Sequence, residues 1–150
     1  MVEGCLVCGE LEGSVEVPGG VLLHDDLVTA FHVPPIRQNP RPFVGHLLVV
    51  TNRHVARLGD LTPDEAAAVG RTAARLARAL IDSGGADWVH SAVIGTGVPH
   101  FHQHLVACYP GTPLDLPWHD EWAEAPHGGA EEIAELALKL RGGLGAEGQI

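Results

Sequence analysis

The chain has 150 residues, the usual size of one domain, and its 45% hydrophobic content is enough for one core. Nineteen acidic against nine basic side chains give a formal net charge of -10. That excludes the basic footprint needed to grip long nucleic acid, yet it permits a small nucleotide in a locally positive cleft.

No run is long and apolar enough to cross a membrane. The segment Met1-Val2-Glu3-Gly4-Cys5 lacks the charged and apolar regions of a signal peptide, so a cytoplasmic location with reduced thiols is expected. Cys5 and Cys8 follow in a Cys-x-x-Cys spacing, which means a metal pair or a redox pair. A redox motif of the thioredoxin type should follow a strand, and none precedes it here, which favours metal. His24-Asp25-Asp26 turns into a short strand over Leu27–Phe31. Residues 33–42 hold four prolines and cannot be regular structure. This stretch is an ordered loop or lid, and its Arg37 and Arg41 are scarce positive charges. Gly45–Thr51 is a buried strand.

Thr62-Pro63-Asp64-Glu65 is a capping box with proline at the first helical position. Val69, Ala73, Leu76, Ala77 and Leu80 then form one apolar stripe, and Gly84-Gly85 stops the helix. Trp88–Ile94 is a strand. Gly95-Thr96-Gly97 turns into a further strand that carries His100, His102 and His104 and runs to about Tyr109. The chain is loop-like after Pro110 through Trp118-His119-Asp120-Glu121-Trp122. A second helix covers about Ala130–Leu140. With no repeat and no linker, one α+β domain with an antiparallel sheet is expected. The long helix covers part of the sheet, and a dimer partner is expected to cover the rest.

Alternate side chains of an extended strand share a face, so His100, His102 and His104 are expected to project together. Imidazole is a metal ligand, nucleophile and proton shuttle near neutral pH. A closed zinc site on Cys5 and Cys8 needs two more ligands. The candidates are His24, His32, His46, His54, His90, His100, His102 and His104, among which His54 and His100 would tie the N-terminus to the central sheet. The alternative is an unligated cysteine pair beside surface histidines. Cys108, ending an apolar strand, is expected to be inert packing.

The run His100-Phe101-His102-Gln103-His104-Leu105-Val106 resembles the signature of the histidine triad (HIT) superfamily, in which histidines alternate with apolar residues. Gly45-His46-Leu47-Leu48-Val49-Val50-Thr51-Asn52-Arg53-His54 is similar to a second family segment, with both histidines in place and Thr51 where proline is usual. Asp26 and Ala30-Phe31 match a third segment. The resemblance covers residues 5 to about 109. It implies a HIT-like fold: a five-stranded antiparallel sheet with one long helix and a C-terminal helix. The implied organisation is a single domain, with a zinc-binding N-terminus (1–13), a HIT core (14–110) and a C-terminal extension (111–150). It also implies nucleotidyl transfer through a covalent histidine, His102, with His104 on the phosphate oxygens or leaving group and His46 orienting them. A backbone carbonyl would fix the tautomer of His102. Phe31, Thr96, Gly97 and Val98 would line the substrate. Bacterial members place structural zinc on the equivalents of Cys5, Cys8, His54 and His100. The implied substrate is a nucleoside phosphoramidate, an adenylated small molecule or a dinucleoside polyphosphate, handled by a homodimer.

The chain departs from the family pattern in three places. Val33 stands where an acid usually holds the ribose hydroxyls. The stretch from Phe31 to His46 is longer than in small members and should alter substrate choice. Thr96 and Gly97 replace the usual Gln-Ser or Gln-Thr. Gly95-Thr96-Gly97 is either a plain turn or a backbone N–H cradle for phosphate. Trp118 and Trp122 either stack on a base or fill an interface or core. These departures keep two rival readings alive: a non-catalytic nucleotide-binding module, and an enzyme repurposed to a non-ribosyl phosphate.

Overall fold

The computed structural model describes residues 2–113, 115, 117 and 122–145. Its elements in chain order are α1 (Leu6–Glu12), β1 (Leu23–His24), β2 (Val28–His32), β3 (His46–Thr51), α2 (Pro63–Asp82), β4 (Trp88–Ala92), β5 (His102–Cys108) and α3 (Ala130–Leu144), with one 3-10 turn at Leu58–Asp60. The five strands form one sheet in the order β1-β2-β3-β5-β4, and every neighbouring pair is antiparallel. This is the α+β architecture expected. The additions are β1, a two-residue edge strand too short to carry a period, and α1, which follows the first cysteine.

Alternation along the strands splits the core in two. Val28, Ala30, Leu47, Val49, Leu105 and Ala107 face α2 and α3. Phe31, Leu48 and Val50 face the other way, under Val7 of α1. On α2 the buried stripe runs through Val69, Ala73, Leu76 and Leu80 as expected, with Ala79 buried and Ala77 only half-buried. α2 ends at Asp82, and Gly85 takes the left-handed φ of +81° that reverses the chain.

The capping box is formed in full: Glu65 N–H donates to Thr62 Oγ1 at 3.2 Å, and Thr62 N–H donates to Glu65 Oε2 at 2.8 Å. The buried Glu65 carboxylate also takes both arms of Arg53, Nε at 2.9 Å and Nη2 at 2.7 Å. One carboxylate thus caps α2 and fastens the segment that carries His54. The Arg53 hydrogen bonds hold Glu65 down to about 2 from an ordinary 4.5. The unfolded chain therefore binds the more protons between those values. Stability from this group is complete above about pH 4.5 and is lost as the pH falls towards 2. Denaturant titrations across that range are expected to show a steep acid limb that flattens in Glu65→Gln.

Candidate functional site

β5 lies between β3 and β4. Val50 is opposite His102, Leu48 is opposite His104, and His46 is opposite Val106. The sheet face that carries Leu48 and Val50 therefore also carries His46, His102 and His104. The His46 and His104 rings meet with Nε2 2.8 Å from Nδ1, and the His102 and His104 ring centres are 4.9 Å apart at a steep angle. His102 is nearly buried. Its Nδ1 lies 2.7 Å from the His100 carbonyl and donates to it, because a carbonyl can only accept. Nε2 is left as the lone-pair nitrogen. Burial, then the charges of neighbouring imidazoles, lowers His46 to about 3, and burial with His102 lowers His104 to about 4. Both rings are neutral at physiological pH.

The three triad histidines are not all on one strand. β5 begins at His102, and the backbone bends just before it, with His100 N–H donating to Val98 O at 2.8 Å. The fully buried His100 ring serves another site. Its Nε2–H donates to Thr51 O at 2.7 Å, which leaves Nδ1 as a lone pair. That Nδ1 is 3.5 Å from Cys5 Sγ and 3.6 Å from Cys8 Sγ, and His54 Nδ1 is 3.4 Å from Cys8 Sγ. The four ligand atoms all lie within 4.8 Å of one another. A tetrahedral zinc site with ordinary bond lengths places sulfur and nitrogen about 3.6 Å apart. The donor set and its spacing therefore fit zinc. Burial lowers His100, favouring the neutral ring that a metal needs, and raises the Cys5 thiol, so a cation would have to draw off its proton. Among the described residues no other group of three or more His, Cys, Asp or Glu side chains is close enough to hold an ion. His24, His32, His46, His90, His102 and His104 are thus not brought to the cysteines.

The expected substrate-lining residues have mixed positions. Phe31 is buried in the small core under α1, with Val33 and Val98 packed against it. Val33 N–H donates to His46 O at 2.9 Å, so an apolar side chain occupies the place of the acid. Thr96 and Gly97 are exposed, and a methyl group built on Gly97 meets nothing within 4 Å. Arg41 is tied to Glu132 and to the His127 carbonyl, joining the proline-rich loop to the start of α3. Trp122 packs on Phe43, a neighbour of the α2-side core, with ring centres 5.8 Å apart. Trp118 lies outside the described residues. Cys108 is buried at the end of β5.

One contributor was not legible in the motifs. His32, 1% exposed, donates from Nδ1 to Val33 O at 2.7 Å and accepts Gly45 N–H on Nε2 at 3.0 Å. It fixes the backbone on both sides of the β2–β3 connection, next to His46. Gly45 has φ +107°, and a Cβ there would stand 2.5 Å from the Tyr109 hydroxyl and 2.9 Å from Ala107 Cβ, so glycine is required. His32 points away from the histidine face, and no spacing rule marks it.

A family model of the HIT domain matches residues 14–111. The chain belongs to the HIT family. HIT proteins form a superfamily of nucleotide-binding hydrolases and transferases. Among solved structures, a zinc-bound histidine triad family protein from Mycobacterium smegmatis is 25% identical; the match covers 94% of this chain and 93% of that one, with a TM-score of 0.71. A hypothetical histidine triad nucleotide-binding protein from Sulfolobus tokodaii is 18% identical over 93% and 91% of the two chains, with a TM-score of 0.72. A Hit-like protein from Bartonella henselae, solved with an unknown ligand, is 19% identical over 95% and 98%, with a TM-score of 0.71. These last two show the same fold. Comparison with curated proteins returned no match. No helix among the described residues of this HIT protein is long and apolar enough to cross a membrane.

Proposed function

We propose that this HIT protein is a zinc-stabilised nucleotide hydrolase or nucleotidyltransferase acting through a covalent nucleotidyl-histidine on His102. The observation that carries the reading is the hydrogen bond from His102 Nδ1 to the His100 carbonyl, which leaves Nε2 as the lone-pair nitrogen. Nε2 attacks the α-phosphorus of a phosphoramidate, an adenylated small molecule or a dinucleoside polyphosphate. A P–N bond forms, the bond to the leaving group breaks, and that group departs with its electron pair and takes up a proton. Water or another acceptor then attacks the phosphorus, the P–N bond breaks, and Nε2 regains its lone pair. His104 and His46 enter as neutral rings with one N–H each: His46 Nε2–H donates to His104 Nδ1 and orients that ring, whose Nε2–H donates to phosphate oxygen, and neither holds a standing positive charge. Cys5, Cys8, His54 and His100 would hold the metal, and zinc bound there would cross-link the N-terminal end of α1, the segment after β3 and the approach to β5. Its thiolate ligands suit a reducing, cytoplasmic setting.

Release of nucleotide from adenosine phosphoramidate and diadenosine polyphosphates tests the proposal. A specific observation favours a second reading, a nucleotide-binding module: Val33 offers no carboxylate to ribose. Thermal stabilisation by these nucleotides with no product would select it.

In this reading Val98, Thr96 and Gly97 rim the substrate cleft, and the buried Phe31 supports it from the small core against which Val98 packs. Gly97→Ala is expected to leave the melting temperature within about 1 °C, because the added methyl meets open space. If the Gly97 N–H contacts phosphate, kcat/KM falls by about tenfold or more in Gly97→Pro, which removes that donor, and not in Gly97→Ala, which keeps it. Unchanged kinetics in Gly97→Pro would make 95–97 a plain turn.

The working unit is proposed to be a homodimer of single-domain chains, each with a metal-binding N-terminus (1–13), a core (14–110) and an extension (111–150). Within the sheet β4 pairs with β5 alone, and the exposed Trp88, Val93 and Ile94 lie on or just after this edge strand. An unpaired edge with apolar side chains is a template for a second copy. Light scattering is expected to give a dimer mass, reduced to a monomer by Ile94→Glu.

A further inference from the structure

The residue directly before His46 is the most permissive point in the backbone of the site. Gly45 has φ +107°, a conformation that glycine adopts without strain, so its own torsions do little to fix the direction in which His46 leaves the turn. Two partners fix it instead. The Gly45 carbonyl accepts Ala107 N–H of β5 at 3.0 Å, and the Gly45 N–H donates to His32 Nε2 at 3.0 Å. The first is backbone pairing beside the sheet, which any side chain at 45 or 107 that fits would allow. The second depends on one imidazole.

The sense of both His32 hydrogen bonds is forced. The Val33 carbonyl can only accept, so Nδ1 carries the proton; the Gly45 N–H can only donate, so Nε2 carries the lone pair. The ring is fully buried, and that burial holds it down to about 4, so it is neutral at physiological pH as this pairing requires. Val33 and Gly45 stand at opposite ends of the proline-rich connection 34–44 between β2 and β3. At the same neck Val33 N–H donates to His46 O at 2.9 Å, and His46 N–H donates to Phe43 O at 3.2 Å. His32 therefore clasps the loop where it meets His46. It lies opposite Leu47, which faces α2, and so it is on the other side of the sheet from His46, His102 and His104. Any influence on the site passes through the backbone. The 2.8 Å contact between the His46 and His104 rings is the feature most exposed to such an influence, because a hydrogen bond weakens steeply with distance and angle.

We propose that His32 is a positioning residue: by holding the Gly45 N–H it sets the backbone from which His46 reaches His104, and so aims the His104 ring. Its effect on turnover rests on the His102 reading above; its effect on the His46–His104 bond does not.

Nitrogen–nitrogen scalar coupling across hydrogen bonds, measured by NMR on the isotope-labelled, zinc-loaded, full-length protein, tests it. Couplings are expected between Gly45 N and His32 Nε2 and between His46 Nε2 and His104 Nδ1. His32→Leu, apolar and without a ring nitrogen, should abolish both. His32→Gln, whose amide oxygen can accept the Gly45 N–H, should restore the second. Leu140→Ala opens a hole in the core on α3, far from this neck; it should lower the melting temperature and leave both couplings in place. With adenosine phosphoramidate, kcat in His32→Leu is expected to fall by about tenfold or more, with KM within about twofold, and to recover in His32→Gln. Where His32→Leu does not fold, His32→Asn, too short to reach Gly45, takes its place. A His46–His104 coupling that survives in the apolar or shortened variant, that is lost equally in Leu140→Ala, or that His32→Gln fails to restore would each overturn the proposal. Absence of turnover in the unaltered protein would count against the covalent reading alone, and the couplings would still decide the role of His32.

Discussion

Replacing His102 with alanine is expected to lower kcat/KM for adenosine phosphoramidate by on the order of 10⁴-fold or more while the domain stays folded. The size of the effect follows from the role. The ring would supply the attacking electron pair, and its neighbours are held in a different arrangement by the 2.8 Å bond between Nε2 of His46 and Nδ1 of His104. Folding should survive because His102 makes one hydrogen bond, to the His100 carbonyl, at the end of a strand held by β3 and β4. Its loss is expected to cost about 1–3 kcal/mol of stability. Kinetics beside a circular-dichroism melt separate the two effects. Acid quenching of the unaltered protein during turnover should reveal a nucleotidyl adduct by mass spectrometry, absent from His102→Ala. Full activity in the variant would end the covalent route.

Removing the metal is expected to have the largest effect on stability. Protein purified without added metal should carry about one zinc per chain, and Cys5→Ser or Cys8→Ser should carry far less. Chelation should lower the melting temperature by on the order of 10 °C, since structural zinc contributes folding free energy directly and a domain of this size loses a few degrees per kcal/mol. The reason lies in what the four ligands join: α1 by Cys5 and Cys8, the segment after β3 by His54, and the approach to β5 by His100. α1 otherwise rests on a small apolar cluster around Val7, Phe31, Leu48 and Val50. His100 also offers the carbonyl that orients His102, so zinc loss should reduce turnover before the protein unfolds. An unchanged melting temperature after complete chelation would refute a structural role.

Local patterns made several of these features legible in advance. The capping box placed the start of α2, the continuous apolar run of residues 45–51 placed β3, and the Cys-x-x-Cys spacing of Cys5 and Cys8 marked half of a candidate metal site. Each depends on residues near one another in the chain, where period, cap and spacing act directly. The motif could not show that the triad divides. In sequence the three histidines look equivalent, and an ideal strand would align them. The bend at Val98–His100 and the Thr51 carbonyl send His100 to the cysteines and leave His102 and His104 to the open face.

The sequence by itself determined the types of the longer elements, the antiparallel class and the identity of the chemical side chains, because periodicity and residue chemistry are local properties, whereas α1 and β1 are too short to carry a period. Only the tertiary structure decided which histidine faces which partner. Those assignments rest on pairings across long separations in the chain: His46 with His104, Cys8 with His54, and His100 with the Thr51 carbonyl. Strand register and helix docking, which create these contacts, come from burial summed over the whole core and are written in no short segment.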